Sequence, residues 1–367
     1  MDTLKRTPLY KEHVKLGANM VPFVGFEMPI VYTSMIEEHM AVRDHAGIFD
    51  VSHMGEIFIE GKDALAFTDY LITNKLSNAN KGDIKYSAML YEEGGEVDDL
   101  LAYKINDEKV LLVVNASNIE KDYAHILTIK ESRPDLDCTI NNTSDQWGQV
   151  ALQGPKAAFI LQKNTPSDLE TMKKFTFQDI AIGGIDTVTS RTGYTGEDGF
   201  EILAPKDQIA TLWKLLLQTG EKEGILPCGL GSRDTLRFES CLWLYGNDID
   251  STTNPIEAGQ GFAVKLDKDF VGKKVCQEAK EKGPQRKLTT FEVNSKMIPR
   301  HGYSIYSDGK EIGQVTSGSY CPKIEKVCAM GYIPADLSVI GNVVQIKIRN
   351  KEASATIVKK PFYKNDR

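Results

Sequence analysis

Gly94-Gly95-Glu96-Val97-Asp98-Asp99-Leu100-Leu101-Ala102-Tyr103 is the stretch on which the reading of the fold turns. A glycine pair feeds an apolar run whose first residues carry carboxylates, which predicts a turn leading into a strand. Side chains of a strand point alternately to its two faces. Val97, Asp99, Leu101, Tyr103 and Ile105 therefore share one face, and Asp98, Leu100, Ala102 and Lys104 the other. This places Asp99 on the more apolar face, where an ionised carboxylate is rarely left without a partner. Asp99 either meets a structural donor or a ligand, or caps the glycine turn before it.

Outward from this strand the pattern stays mixed. Residues 51–60, 100–105 and 110–115 read as strands, and 63–71 and 119–129 as helices, which is an α+β unit with an antiparallel sheet. On the N-terminal side, residues 34–43 read as a helix with Ser34 as N-cap and Glu37 completing a capping box. The middle of the chain repeats the style. Residues 149–153, 186–190 and 200–203 read as strands, Gly154-Pro155-Lys156 opens a helix, and 209–219 is a strongly apolar helix. The last block is all short strands, at 288–293, 303–306, 311–316, 343–348 and 355–358. Asp308-Gly309 is a strong hairpin turn between two of them, and the block reads as a separate β-barrel or sandwich.

The 367 residues carry 44 Lys plus Arg against 51 Asp plus Glu, a formal charge of −7. That balance excludes a broad basic surface tracking a nucleic-acid backbone. With 26% charged and 41% apolar residues the composition is that of a globular protein, not a disordered one. No stretch approaches the roughly 20 apolar residues of a membrane span, and residues 1–8 lack the apolar region of a secretory signal. The six cysteines are scattered with no C-x-x-C pair, so the expectation is buried thiols in a reducing cytoplasmic compartment.

Three further segments could carry chemistry. In Ser190-Arg191-Thr192-Gly193-Tyr194-Thr195-Gly196-Glu197-Asp198-Gly199-Phe200-Glu201, the glycines make tight turns or a close approach. Glu197 and Asp198 are expected to be solvated. Glu201 lies inside a strand, where it either faces water at an edge or accepts paired hydrogen bonds from a flat amidine-like edge such as a pterin. In Gly229-Leu230-Gly231-Ser232-Arg233-Asp234-Thr235-Leu236-Arg237, Ser232 reads as an N-cap with Asp234 in the first turn. Arg233 and Arg237 repel on one face unless each finds an anion. Asp234 can serve Arg237, leaving Arg233 for a ligand or a structural salt bridge. Tyr245-Gly246-Asn247-Asp248 marks tight turns without the spacing of a calcium loop. There is no G-x-G-x-x-G after a strand, no Walker A, no G-x-S-x-G and no H-E-x-x-H.

These motifs, in this order, resemble the T-protein (aminomethyltransferase) family of the glycine cleavage system over nearly the whole chain. The matching stretches include Thr7-Pro8-Leu9-Tyr10, Phe49-Asp50-Val51-Ser52-His53-Met54-Gly55-Glu56, Leu152-Gln153-Gly154-Pro155, Lys268-Asp269-Phe270-Val271-Gly272-Lys273 and Lys360-Pro361-Phe362-Tyr363, with the segments quoted above. The resemblance implies an α+β fold of three domains around a central folate site. Two are α+β antiparallel-sheet domains, residues 1–50 with 140–280 and residues 51–139, and the third, 281–367, is a β-barrel.

The implied reaction passes an aminomethyl group from the lipoyl arm of H-protein to tetrahydrofolate. The products are 5,10-methylenetetrahydrofolate, ammonia and dihydrolipoyl H-protein, and no metal takes part. The resemblance makes Asp99 the critical carboxylate and Glu201 and Arg233 folate contacts. Met54, Tyr86, Asn115 and Tyr194 match positions lining the pocket, and Tyr363 a C-terminal contact. Cys321-Pro322-Lys323, Cys328-Ala329-Met330-Gly331 and Gly261-Phe262 depart from the family pattern. Two alternatives share the fold. One is a folate-dependent demethylating module joined to a flavin domain, for which the chain lacks length and fingerprint. The other is a non-enzymatic folate-binding protein of iron–sulfur cluster maintenance, whose Lys-Gly-Cys-Tyr motif is absent.

Overall fold

The structure is a computed structural model that describes residues 4–365; Met1, Asp2 and Thr3, read above for a leader, lie outside the described residues. The chain divides into two units. One holds residues 4–68, 76–85 and 100–236, the other 69–75, 86–99 and 237–365.

In the first unit alternating segments pair into a six-stranded sheet. Its order is Phe177–Ile182, Ile185–Ser190, Gly199–Pro205, Trp147–Gln153, Ala46–Asp50, Ile225–Cys228. Neighbours are antiparallel except the last pair, which is parallel. The helix Ile209–Gly220 contributes Ile209, Leu212, Trp213 and Leu216 to one core with Val150, Leu152, Phe200 and Ile202 of the sheet. That is the spacing of a helix with one apolar face, and each such side chain contributes about 1.5–3 kcal/mol on burial. The helix Met35–Asp44 begins as expected, with Ser34 Oγ accepting the Glu37 amide at 3.1 Å. Of the predicted capping box, this is the arm the structure shows.

A second sheet has five strands in the order Ile84–Leu90, Glu96–Asn106, Lys109–Val114, Gly55–Glu60, Thr139–Asn142. The division between the units falls within its first two strands, after Lys85 and after Asp99. The stretch read as one strand over 51–60 starts later, at Gly55, because residues 46–50 form a separate strand of the six-stranded sheet.

In the second unit the C-terminal strands close into a barrel, in the order Arg286–Val293, Lys326–Pro334, Lys310–Cys321, Ser304–Ser307, Val343–Ile348, Lys351–Val358. Inward Ala353, Ala355 and Ile357 alternate with exposed or half-exposed neighbours. Asp308 and Gly309 take φ values of 49° and 74°, the paired left-handed conformation of the hairpin turn their sequence predicted. The strand Lys326–Pro334 was not foreseen. Every residue from Val327 to Ile333 is buried, so no alternation marks it.

All six cysteines are buried and carry free thiols. Among the described residues no helix is long and apolar enough to cross a membrane.

Candidate functional site

The residues singled out from the sequence fall into two groups, one in each unit. In the first, Glu201 stands on the interior strand Gly199–Pro205, opposite Ser190 on one side and Ala151 on the other. It is not a solvated edge residue: it is 8% exposed, and its Oε2 accepts a hydrogen bond from Thr192 Oγ1 at 2.6 Å. Thr192 Oγ1 lies 2.7 Å from Ser190 Oγ, and Ser190 Oγ accepts from the buried Tyr103 hydroxyl at 3.2 Å. A carboxylate held on one oxygen by a fixed hydroxyl chain is suited to receive a planar donor edge.

Arg233 enters the same unit from the helix Leu230–Glu239. Its guanidinium sits 4.8 Å from the centroid of the Tyr194 ring, and its buried Nη1 has no hydrogen-bond partner. Burial pulls its pKa down, while the Glu201 charge opposes the shift. The Arg233 charge and burial also act on His53. Burial is the larger cause, and together they bring this imidazole down to about 4 against the opposing pull of Asp50. His53 is therefore neutral at physiological pH. Burial likewise holds the Glu56 carboxyl well above the usual range. Met54 packs against two core clusters of this unit, one around Phe49 and one around Tyr103. Asn115 follows Val114, which pairs with Gly55, so Met54 and Asn115 flank the same end of one strand pair.

The second unit holds Asp99, Tyr86 and Tyr363. The Tyr86 hydroxyl donates to Asp99 Oδ2 at 2.9 Å and accepts from Gln260 Nε2 at 2.8 Å. The Tyr86 ring stacks with Trp243 and with Phe262, at centroid distances of 5.8 Å and 5.9 Å. Burial and the Asp99 charge push the Tyr86 phenol well above its ordinary value, so it acts as a donor. The glycine pair before the strand is required by geometry. Gly94 has φ +84°, and a Cβ on Gly95 would collide with the carbonyl oxygen of Ser251. Tyr363 is fixed through its backbone, its amide donating to the Glu239 carbonyl at 3.0 Å, and the preceding Phe362 packs on Phe238.

Several expectations are corrected. The alternation of the Asp99 strand holds, and Leu101, Tyr103 and Ile105 do pack in an apolar cluster. Yet Asp98 is the enclosed carboxylate, at 0% exposure, while Asp99 is half-buried. Both faces of this strand hold buried residues, and Asp98, Leu100, Ala102 and Lys104 are all buried while Asp99, Leu101 and Ile105 are only half-buried, so the more apolar face is not the more buried one. Glu197 is buried rather than solvated and pairs with Arg43 at 3.2 Å, and Asp198 pairs with Arg191 at 2.6 Å. Ser232 is not an N-cap: the helix starts at Leu230, and the Ser232 hydroxyl donates to Glu38 and to the Gly229 carbonyl. Arg237 finds Asp248 at 2.6 Å.

Sequence reasoning missed Gln260, whose partner Tyr86 lies 174 residues away. It also passed over Tyr103, Ser190, Thr192 and His53 as site residues, although all four lie in quoted motifs. Among the described residues no group of three or more His, Cys, Asp or Glu side chains is placed to hold a metal ion.

Comparison with known proteins gives one consistent result. The GCVT N-terminal domain family matches residues 9–268, and the glycine cleavage T-protein C-terminal barrel domain family residues 286–364. The aminomethyltransferase of Thermosipho melanesiensis is 51% identical over 362 residues, 98% of each chain. That of Lysinibacillus sphaericus is 48% identical over 366 residues, 99% of each chain. The crystal structure of the glycine cleavage system aminomethyltransferase T from Bartonella henselae superposes with a TM-score of 0.90 at 34% identity, covering 98% of each chain.

Proposed function

The chain belongs to the glycine cleavage T-protein family of aminomethyltransferases, tetrahydrofolate-dependent transferases, and on that footing we propose that it moves an aminomethyl carbon from the lipoyl arm of an H-protein to tetrahydrofolate. The folate N5 is a neutral nucleophile near pH 7. It bonds to the carbon as the carbon–sulfur bond breaks, and the sulfur leaves to become a thiol of the dihydrolipoyl arm. Loss of ammonia through a cationic methylene, closed by N10, gives 5,10-methylenetetrahydrofolate.

Asp99 is assigned the stabilisation of that cation, a fixed charge aimed at charge that develops during the reaction. The observation that carries this role is the Tyr86–Asp99 hydrogen bond, which holds the carboxylate in one orientation. Glu201 is assigned the pterin edge, supported by its near-burial and its Thr192 donor. Arg233, Met54, Asn115 and Tyr194 are assigned folate contacts, the unpartnered Nη1 of Arg233 supporting its part, and Tyr86 and Tyr363 are assigned alongside them. The division into residues 1–50 with 140–280, 51–139 and 281–367 is supported by the membership of the three large sheets. Six buried free thiols support a reducing, cytoplasmic setting.

The test is formation of methylenetetrahydrofolate from aminomethylated H-protein and tetrahydrofolate. Folate binding without product, in an assay where a known T-protein turns over, would return the chain to the non-enzymatic folate-binding reading.

A further inference from the structure

The Leu152-Gln153-Gly154-Pro155 motif and the glycine-rich motif ending at Glu201 meet at one amide that takes no part in the proposed reaction. Gln153 ends the strand Trp147–Gln153 and is 0% exposed. It pairs with Gly199 as Ala151 pairs with Glu201, so Gln153 and Glu201 point to one face of the sheet. From there the Gln153 amide reaches into the turn 192–199. Its Nε2 donates to the Thr192 carbonyl at 3.0 Å and to the Phe200 carbonyl at 3.4 Å. Its Oε1 accepts from Thr195 Oγ1 at 2.9 Å, and that oxygen in turn accepts from the Glu197 amide at 3.2 Å. The amide can stand only one way round. Turned over, it would set Oε1 against two carbonyl oxygens, acceptor facing acceptor.

The turn is shaped around this side chain. Gly193 and Gly199 do not adopt a positive φ, so their backbone conformation makes no demand for glycine. Space does: a Cβ on Gly193 would collide with Gln153 Oε1, and one on Gly199 would lie 2.6 Å from Gln153 Nε2. The two residues gripped, Thr192 and Thr195, bracket Gly193 and Tyr194. Thr192 carries the hydroxyl that donates to Glu201 at 2.6 Å, and the Tyr194 ring lies 4.8 Å from the Arg233 guanidinium. We propose that Gln153 is a positioning residue for folate binding, its amide holding Thr192 and Thr195 so that the Glu201 carboxylate and the Tyr194 ring are in place before the ligand arrives. A contact ordered in advance is not ordered at the expense of affinity.

The far end of the turn has its own anchors. Arg43 donates to the Thr195 carbonyl at 2.7 Å, and Asp198 pairs with Arg191. Loss of the Gln153 amide therefore loosens the turn at its near end and leaves the sheet around it folded. This inference rests on the folate contacts assigned to Glu201 and Tyr194, so its test includes a readout that needs no folate.

Gln153→Met keeps the length of the side chain and removes both its donor and its acceptor. Without ligand, hydrogen exchange of the amides of residues 193–197 should quicken about tenfold in this variant, the mark of a locally loosened segment, while the strand Trp147–Gln153 exchanges as in wild type. The tetrahydrofolate Kd from calorimetry, and its KM in turnover with aminomethylated H-protein, should rise about tenfold, the effect of one lost buried hydrogen bond. At saturating folate kcat should stay within about twofold, since only binding is affected. In a Glu201→Gln background the same replacement should weaken binding by no more than about threefold, because groups that act through one contact are not additive. Gly193→Ala displaces the amide from outside and should reproduce the rise in KM even where Gln153→Met folds poorly. A part in stability alone would lower the Tm without separating KM from kcat. An unchanged Kd in both variants, or full additivity with Glu201→Gln, overturns the proposal. Exchange is read without folate, so the two failures are distinct: unchanged exchange in Gln153→Met refutes the positioning role, and a wild-type chain that binds no tetrahydrofolate refutes the folate reading on which it rests.

Discussion

Replacing Asp99 with Asn tests the assigned chemistry most directly, because it changes charge and almost nothing else. Asn Oδ1 can still accept from the Tyr86 hydroxyl, now 2.9 Å from Asp99 Oδ2, so shape and hydrogen bond survive. What is lost is a full negative charge beside a cation that exists only during the reaction. Asp99 is half-buried, which calls for an effective dielectric near 20 rather than that of a dry interior. A cation formed about 4 Å away would then be stabilised by about 4 kcal/mol. Solvent access trims that figure, giving a fall in kcat of about 10²–10³. Tetrahydrofolate affinity should change far less, since the neutral ring gains little from the charge before the reaction starts. Turnover with aminomethylated H-protein and calorimetry with tetrahydrofolate measure the two quantities. Asp98→Asn is the control: Asp98 is fully buried, so its replacement should lower the Tm while leaving kcat within a few-fold. A kcat for Asp99→Asn within fivefold of wild type, or a larger loss in Asp98→Asn, would refute the reasoning.

Glu201→Gln should weaken tetrahydrofolate binding about 5–150-fold, the result of mismatching a buried donor pair at about 1–3 kcal/mol, and calorimetry reads it directly. His53 has its pKa brought down to about 4 in the folded state from about 6.5 unfolded. The unfolded chain therefore binds the extra proton between those values, and stability falls by up to about 3 kcal/mol as pH drops from 6.5 to 4. Urea unfolding at pH 7 and pH 5 should show this loss in the wild type and a smaller one in His53→Gln. Glu56 has the opposite sign: a raised carboxyl loses stability as pH climbs above 4.5. Glu56→Gln should accordingly raise the Tm at pH 8 more than at pH 5, and equal shifts at the two pH values would contradict it.

The fold was legible wherever local chemistry decided it. Asp308-Gly309 dictated its hairpin because few residue pairs tolerate two left-handed conformations, and the apolar stripe of Ile209–Gly220 dictated a packed helix. The strand Lys326–Pro334 was invisible because full burial erases alternation. Within the site, the alternation of the Asp99 strand was readable, but the depth of each face was not, since depth depends on what packs above. The same limit explains Glu197, which sits in a glycine-rich turn that looks solvated until Arg43, 154 residues away, folds onto it. Ser232 misled in the same way: its hydroxyl suits an N-cap, yet Glu38, 194 residues distant, claims it.

The buried thiols described above bear on which side reactions the enzyme must survive. The proposed reaction releases a dithiol, and dithiols exchange readily with any accessible disulfide or oxidised thiol. Nucleophilic attack requires a thiolate. Burial holds the Cys241 and Cys276 thiols up to about 12, so roughly one molecule in 10⁵ carries either thiolate at pH 7. Cys228 is likewise pushed up by burial, and Cys321 chiefly by its hydrogen bond with Cys328. A protein built this way is a poor partner for mixed-disulfide formation. Its thiols are thus kept out of the chemistry of the redox-active arm in the proposed reaction, and mild oxidants should inactivate the lipoyl group of the proposed partner well before they modify this chain.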